Sequence, residues 1–352
     1  MRRSLKWWHS VALLLPAIIV VSAIAAMPST KPTGLFATGL FELGIVGGTD
    51  PLVQPREVSW LGAKLVRVEF SIDDSPRQMA SVIGAYARVG VRVLPLAAFE
   101  SRVPSRIEAE HLASWAAAFG PGGSFWSHHP GGKAAILDIE FGNETSYGYQ
   151  FGGCGPGCPG YMPRARAYAL SFASAQHAIV GSRGNARVGL LAQADYGGDG
   201  SEWVNGMFDA VPDLAKLVAG WTVHPYGPRS WWQQSLDNLV SQTQARGAPA
   251  SIPIYITELG IASDNGPCLS ENYGWSPCMT YAQAAQALSS TVSEIRARYG
   301  SRIHSIFIYQ LADQRFPGYS NNREGYFGVL RKNGAPKGVY TTAVRALLLA
   351  NP

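Results

Sequence analysis

The sequence predicts an α/β fold, a (β/α)8 TIM barrel occupying a single domain. Short β-branched runs alternate with longer amphipathic stretches, and eight such units can be counted. The roughly 320 residues that remain after the N-terminal segment are the size of one barrel folding as a unit. No GxGxxG follows the first strand, as an open dinucleotide-binding sheet would require.

The first strand is expected at 35–40. The second, 64–70, leads into the helical stretch SPRQMASVIGAYARVG, and the third, 91–96, into IEAEHLASWAAAFG. The fourth strand, 134–141, precedes MPRARAYALSFASAQHAIVG, and a fifth lies at 188–194. The sixth, 220–225, is followed by WQQSLDNLVSQTQARG, and the seventh, 253–258, by YAQAAQALSSTVSEIRARYG. The eighth runs over 303–310, and a last helix over 339–349. Gly90, Gly120, Gly181, Gly247 and Gly300 stand where helices should close, which suits left-handed C-caps. Enlarged loops are expected at 121–133, 145–161 and 261–279.

Residues 1–29 place Arg2, Arg3 and Lys6 ahead of an apolar run from Val11 to Met27, the layout of a secretory signal peptide. Ala23-Ile24-Ala25 offers a small-x-small cleavage pattern. An uncleaved signal anchor is the alternative, because the run approaches the ~18–20 residues that span a bilayer. Either way residues 30–352 are expected outside the cytoplasm, secreted or in the cell envelope, as a monomer touching membrane only through that segment.

Hydrophobic residues make up 47% of the chain and charged ones 15%, which excludes a disordered or highly charged protein. The net charge of +5 includes the three N-terminal cations, so nothing electrostatic points to nucleic acid. Cys154 with Cys158 and Cys268 with Cys278 lie in Gly/Pro-rich loops. In an exported protein they read as two loop-stapling disulfides, against the rival of a four-thiolate zinc site whose usual spacings they do not match.

Barrels of this kind keep their chemistry at the C-terminal ends of the strands. Here those ends are polar. The fourth ends on Asn143-Glu144, the sixth on His224-Pro225-Tyr226 and the seventh on Thr257-Glu258, while the second carries Arg67 and Glu69. Two carboxylates across one barrel mouth can flank a glycosidic bond, one protonating the leaving oxygen and the other attacking the anomeric carbon. Arg67 either holds the nucleophile ionised or pairs with Asp138 or Glu140. Glu140 shares a face with residues two away and reads as a buried orienting group. Asn143 is placed to bond a sugar hydroxyl.

Glu140-Phe141-Gly142-Asn143-Glu144 resembles the E-x-[GW]-N-E strand-four motif of glycoside hydrolase clan A, and Tyr255-Ile256-Thr257-Glu258-Leu259-Gly260 resembles its strand-seven motif. The clan includes family 5 cellulases and mannanases and family 39 xylosidase-like enzymes. The resemblance implies a retaining (β/α)8 enzyme with Glu144 as acid/base and Glu258 as nucleophile. His224 and Tyr226 are similar to the clan's strand-six His-x-Tyr, which would set Tyr226 against the nucleophile. YFGVLRKNGAPKGVY resembles the stretch that closes many members. One departure is IFIYQLADQ, where many members end strand eight on a tryptophan; Tyr309 or Gln310 takes that place.

Loop aromatics are frequent (Tyr147, Tyr149, Tyr161, Tyr196, Trp203, Tyr273, Trp275), and Trp231 and Trp232, just past the strand-six motif, are best placed to stack on sugar. The expectation is an endo-acting β-glycanase on a polysaccharide or oligosaccharide, needing no metal or organic cofactor. His128-His129 lack a spaced partner ligand and read as loop residues. The alternative function is a carbohydrate-binding barrel without turnover.

Overall fold

Eight parallel strands close in sequence order, β1 pairing with both β2 and β8. The computed structural model describes residues 41–47, 54–99, 101–129, 132–194, 201–266, 279–314 and 323–350. Signal segment, expected first strand, Tyr196, Tyr273, Trp275 and the Cys268/Cys278 pair lie outside these residues. The strands are β1 Glu42–Val46, β2 Leu65–Ser71, β3 Arg92–Ala98, β4 Asp138–Phe141, β5 Gly189–Gln193, β6 Gly220–Val223, β7 Ile254–Leu259 and β8 Ile303–Ile308. Barrel strand one therefore begins beyond the expected 35–40.

The helices are α1 Pro55–Leu61, α2 Pro76–Arg88, α3 Arg106–Ala109, α4 Leu112–Phe119, α5 Tyr161–Val180, α6 Ser201–Ala210, α7 Arg229–Ala245, α8 Tyr281–Tyr299 and α9 Val339–Leu349. Their starts are written locally. Ser75 with Gln78 and Thr280 with Gln283 form capping boxes at α2 and α8. Gly90 and Gly247 have positive φ as expected, while Gly300, with φ 52° and ψ −130°, departs from a left-handed helical cap. Gly120 and Gly181 do not, because the chain leaves α4 and α5 extended.

Alternation along each strand divides two cores. In β7, Ile254 and Ile256 join the layer between sheet and helices, while Tyr255 joins Val46, Leu65, Leu94, Leu191 and Phe307 in a second cluster inside the barrel. Backbone must give way to this bulk: a Cβ on Gly220 would sit 2.4 Å from the Tyr255 ring. Arg67 lies two residues beyond Leu65, Thr257 two beyond Tyr255 and Gln193 two beyond Leu191, so the polar layer sits directly above the apolar one. That stacking delivers the site residues to the C-terminal mouth.

Tyr168 of α5 shapes that mouth. Its hydroxyl donates to the Phe141 carbonyl at 2.9 Å and accepts from the Gln193 N–H at 2.7 Å, bridging the tops of β4 and β5 through a side chain. Tyr168→Phe strands both buried backbone groups, so urea unfolding should show a loss of about 1–3 kcal/mol. Unchanged stability would mean that the strand ends close on each other without it. On the opposite side, the buried Lys337 ammonium donates to Ser263 O, Tyr326 O and Asp313 Oδ1 at 2.7–2.9 Å, tying together the segments after β7 and β8.

Candidate active site

Beyond β4 the chain turns on Gly142 (φ 82°), where a Cβ would lie 2.5 Å from Thr145 and 2.6 Å from Phe99. Glu144 follows with φ 46°, a left-handed conformation costing a non-glycine residue about 1–3 kcal/mol. Surrounding bonds hold it there. Thr145 N–H donates to Gln193 Oε1 at 2.9 Å, and Tyr147 N–H donates to the Glu144 carbonyl at 2.8 Å. Such strain persists only where the surrounding contacts over-determine it.

Arg67, 4% exposed, organises the centre. Its Nε donates to Glu140, its Nη1 to Glu258 Oε1 at 2.7 Å and its Nη2 to Asn143 Oδ1 at 2.8 Å. Arg67 therefore pairs with Glu140, one of its two expected carboxylate partners, and contacts Glu258 at the same time. Asp138, the other candidate, instead accepts from Tyr255 at the far end of the barrel, 3.1 Å away. Tyr226 donates to the second oxygen of Glu258 at 2.8 Å. Glu258 is thus gripped at both oxygens by donors.

His224 closes the ring. Its Nδ1 lies 3.0 Å from Glu144 Oε1 and 3.7 Å from Glu258 Oε2. Its Nε2 lies 3.0 Å from Thr257 Oγ1, and Thr257 donates to Glu140 Oε1 at 2.7 Å. A Glu144 oxygen and a Glu258 oxygen come within 4.8 Å of each other with His224 beside both. Every member lies on a barrel strand or just past its C-terminal end, and the network joins β2, β4, β6 and β7.

Burial alone would raise the Glu140 carboxyl, but Arg67 and His224 overcome it and hold it at about 2. Burial alone would lower the His224 imidazole, yet Glu258, Glu140 and Glu144 bring it up to about 10. Burial also works against the Arg67 charge, and Glu140 and Glu258 more than reverse that. The linkage signs follow. Stability from His224 is full below its ordinary 6.5 and is lost as pH rises toward 10; stability from Glu140 is present above 4.5 and is lost as pH falls through 2. Thermal melts should therefore peak between those windows, and His224→Gln should flatten the alkaline decline and, by removing one of the groups that hold Glu140 low, move the acid decline to higher pH. An unaltered alkaline limb would contradict this assignment.

Glu144, His224 and Glu258 also have the composition of a cation site. Each Glu258 oxygen already accepts a hydrogen bond, from Arg67 and from Tyr226, and the Arg67 guanidinium beside the cluster repels a further cation. The arrangement suits proton transfer better than coordination.

Of the aromatic candidates, Trp231 is 50% exposed at the start of α7, and Tyr149 is also exposed, its ring 5.7 Å from that of Tyr147. Trp232 is a correction. It is 1% exposed, packed between helix and sheet, and has no face to offer a ligand. Tyr161 and Trp203 are likewise core residues. At the end of β8 the peptide between Tyr309 and Gln310 is cis, and the Tyr309 ring meets Tyr226 and Phe327 edge-on at 6.1 and 5.5 Å. Gln310 is buried and accepts from the Gln314 amide, so of the two it is Tyr309 whose ring lies against Tyr226, the donor to Glu258.

Cys154 and Cys158 form a disulfide within the loop after β4, which removes that pair from any zinc site. His129 stacks on Phe125 and contacts its carbonyl, an ordinary loop role. Thr257 was named from sequence only as a polar strand-end residue with no role, and Gln193 and Tyr168 were not named. Thr257 and Gln193 carried a usable signal, each being polar and two residues beyond an inward apolar one.

No protein-family model and no curated protein matches the sequence. Solved structures do match the fold. GH5_18 from Streptomyces cattleya in complex with GlcNAc is 16% identical over 88% of this chain and 80% of that one, with TM-score 0.59. A variant of it in complex with Manβ1-4GlcNAc gives TM-score 0.60 at the same identity and coverage. Faecalibacterium prausnitzii β-glucuronidase is 13% identical over 89% of this chain, which spans 49% of that protein, with TM-score 0.55. What these share with the present chain is the barrel.

Proposed function

We infer that the protein is a retaining glycoside hydrolase of the clan A type, acting on a polysaccharide or oligosaccharide outside the cytoplasm. The observation that carries this is the approach of the Glu144 and Glu258 carboxylates to within 4.8 Å at the barrel mouth. Retaining enzymes hold their carboxyl groups ~5–5.5 Å apart, whereas inverting ones leave room for a water at ~6.5–9.5 Å.

Glu258 attacks the anomeric carbon while Glu144 gives its proton to the departing oxygen. Glu144 then takes a proton from the water that releases the glycosyl-enzyme. Arg67 and Tyr226 aim the Glu258 oxygens, and the Asn143 carbonyl is fixed on Arg67, leaving its N–H groups for a substrate hydroxyl. Tyr309 walls the sugar site in place of a tryptophan. Trp231 at the start of α7 and Tyr149 in the segment after β4 supply exposed rings, which supports action within a chain of sugars.

The test is reducing-sugar release from β-glucans, mannans, xylans, galactans and arabinans. Because the structural neighbours were solved with GlcNAc and Manβ1-4GlcNAc or are glucuronidases, β-mannosyl-GlcNAc and aryl glucuronides belong in the panel. Release from one substrate class, undiminished by EDTA, is expected. Silence across the panel favours a binding barrel, and loss on chelation would reject the two-carboxylate mechanism.

A further inference from the structure

The two ring nitrogens of His224 have different jobs, and Thr257 assigns them. Glu140 is flanked by Arg67 and held at about 2, so as a carboxylate it only accepts. The single hydroxyl proton of Thr257 therefore points at Glu140 Oε1, 2.7 Å away, and its lone pair faces His224 Nε2 at 3.0 Å. Nε2 must carry a proton. On the other side of the ring, the 3.0 Å line between Nδ1 and Glu144 Oε1 then has room for one proton, on either atom.

We propose that Thr257 and Glu140 are positioning residues that keep His224 Nε2 protonated, so that His224 Nδ1 and Glu144 share the one proton that acid catalysis spends and base catalysis regains. This rests on the retaining-glycosidase reading of Glu144 and deepens it. Moving the proton breaks Nδ1–H and forms Oε1–H, converting imidazolium and carboxylate into imidazole and carboxylic acid. Net charge in the buried site is unchanged. When the leaving oxygen takes the proton, Glu144 is left as carboxylate beside neutral imidazole; the proton of the incoming water then refills the line.

The other charged groups facing the ring are Glu258, with Oε2 3.7 Å from Nδ1, and Glu140, with Oε1 3.9 Å from Nε2; Arg67 bridges these two and Tyr226 donates to Glu258. Two anions beyond Glu144 thus keep the imidazolium form accessible despite its burial. Without Thr257 the ring could turn its single neutral proton either way.

The full chain labelled with 15N-histidine tests this by long-range 1H–15N correlation, with His224 identified by the signal that His224→Gln removes. The wild type should show a protonated Nε2 throughout, with only Nδ1 changing state as pH rises. Thr257→Val should lower the His224 midpoint by at least about one pH unit and move the alkaline limb of kcat/KM with it, and Thr257→Ser should restore both. A wild-type ring protonated on Nδ1 alone, or a Thr257→Val protein matching wild type in both readouts, overturns the proposal. The wild-type spectrum needs neither variant nor substrate, so it decides the ring assignment even if hydrolysis is never found. Hydrolysis whose pH profile ignores Thr257 would reject the shared proton and leave the glycosidase standing.

Discussion

Glu258→Ala should lower turnover by on the order of 10⁴-fold or more, because the proposed mechanism loses the atom that would form the covalent intermediate. Glu144→Ala should behave differently. It should cripple substrates with poor leaving groups while sparing aryl glycosides whose leaving groups need little protonation. Added azide separates the two roles further: it should rescue Glu258→Ala with an inverted glycosyl azide and Glu144→Ala with a retained one. Activity persisting in Glu258→Ala would require another nucleophile. The same geometry explains the magnitude, since Arg67 and Tyr226 aim two donors at Glu258 and have no substitute to aim.

Arg67→Met should be the most destabilising change at the site. Glu140 is 1% exposed and Glu258 8%, and both depend on this one guanidinium. Removing one partner from a buried charge network costs about 3–5 kcal/mol, because the remaining charges stay buried without compensation. Thermal unfolding should fall by on the order of 10 °C. Adding Glu140→Gln should recover part of the loss by deleting one stranded anion, whereas a double variant no more stable than Arg67→Met would mean that Glu140 is compensated by Thr257 and His224 alone.

Much of this site was legible because barrel strands write their inward face at every second residue. Leu65 to Arg67, Tyr255 to Thr257 and the step from Glu140 to Gly142 all follow that period, and seven of the eight strands lie within or beside their expected ranges. β1 was misplaced because Glu42–Val46 contains an acid and a glycine, and its pairing with β8 is a long-range fact. α1 and α6 were missed because they are short, seven and ten residues, and one includes Gly206. Trp232 was misjudged since sequence adjacency to Trp231 says nothing of helix faces: successive residues point about 100° apart, so one ring is half exposed and the other is core.

The bridging role of Tyr168 had no signature at all, being a residue in mid-helix whose hydroxyl meets two strands from the side. Arg67 binding three acceptors at once was equally invisible, since Glu140, Asn143 and Glu258 converge on it only when the barrel closes.

The most direct test of the central claim is the anomeric configuration of the first-formed sugar, followed by proton NMR before mutarotation, on whichever β-linked substrate the panel yields. Carboxylates within 4.8 Å predict a β product, the mark of double displacement through Glu258. A first product of α configuration would show that water attacks directly, and would contradict the nucleophile assigned here.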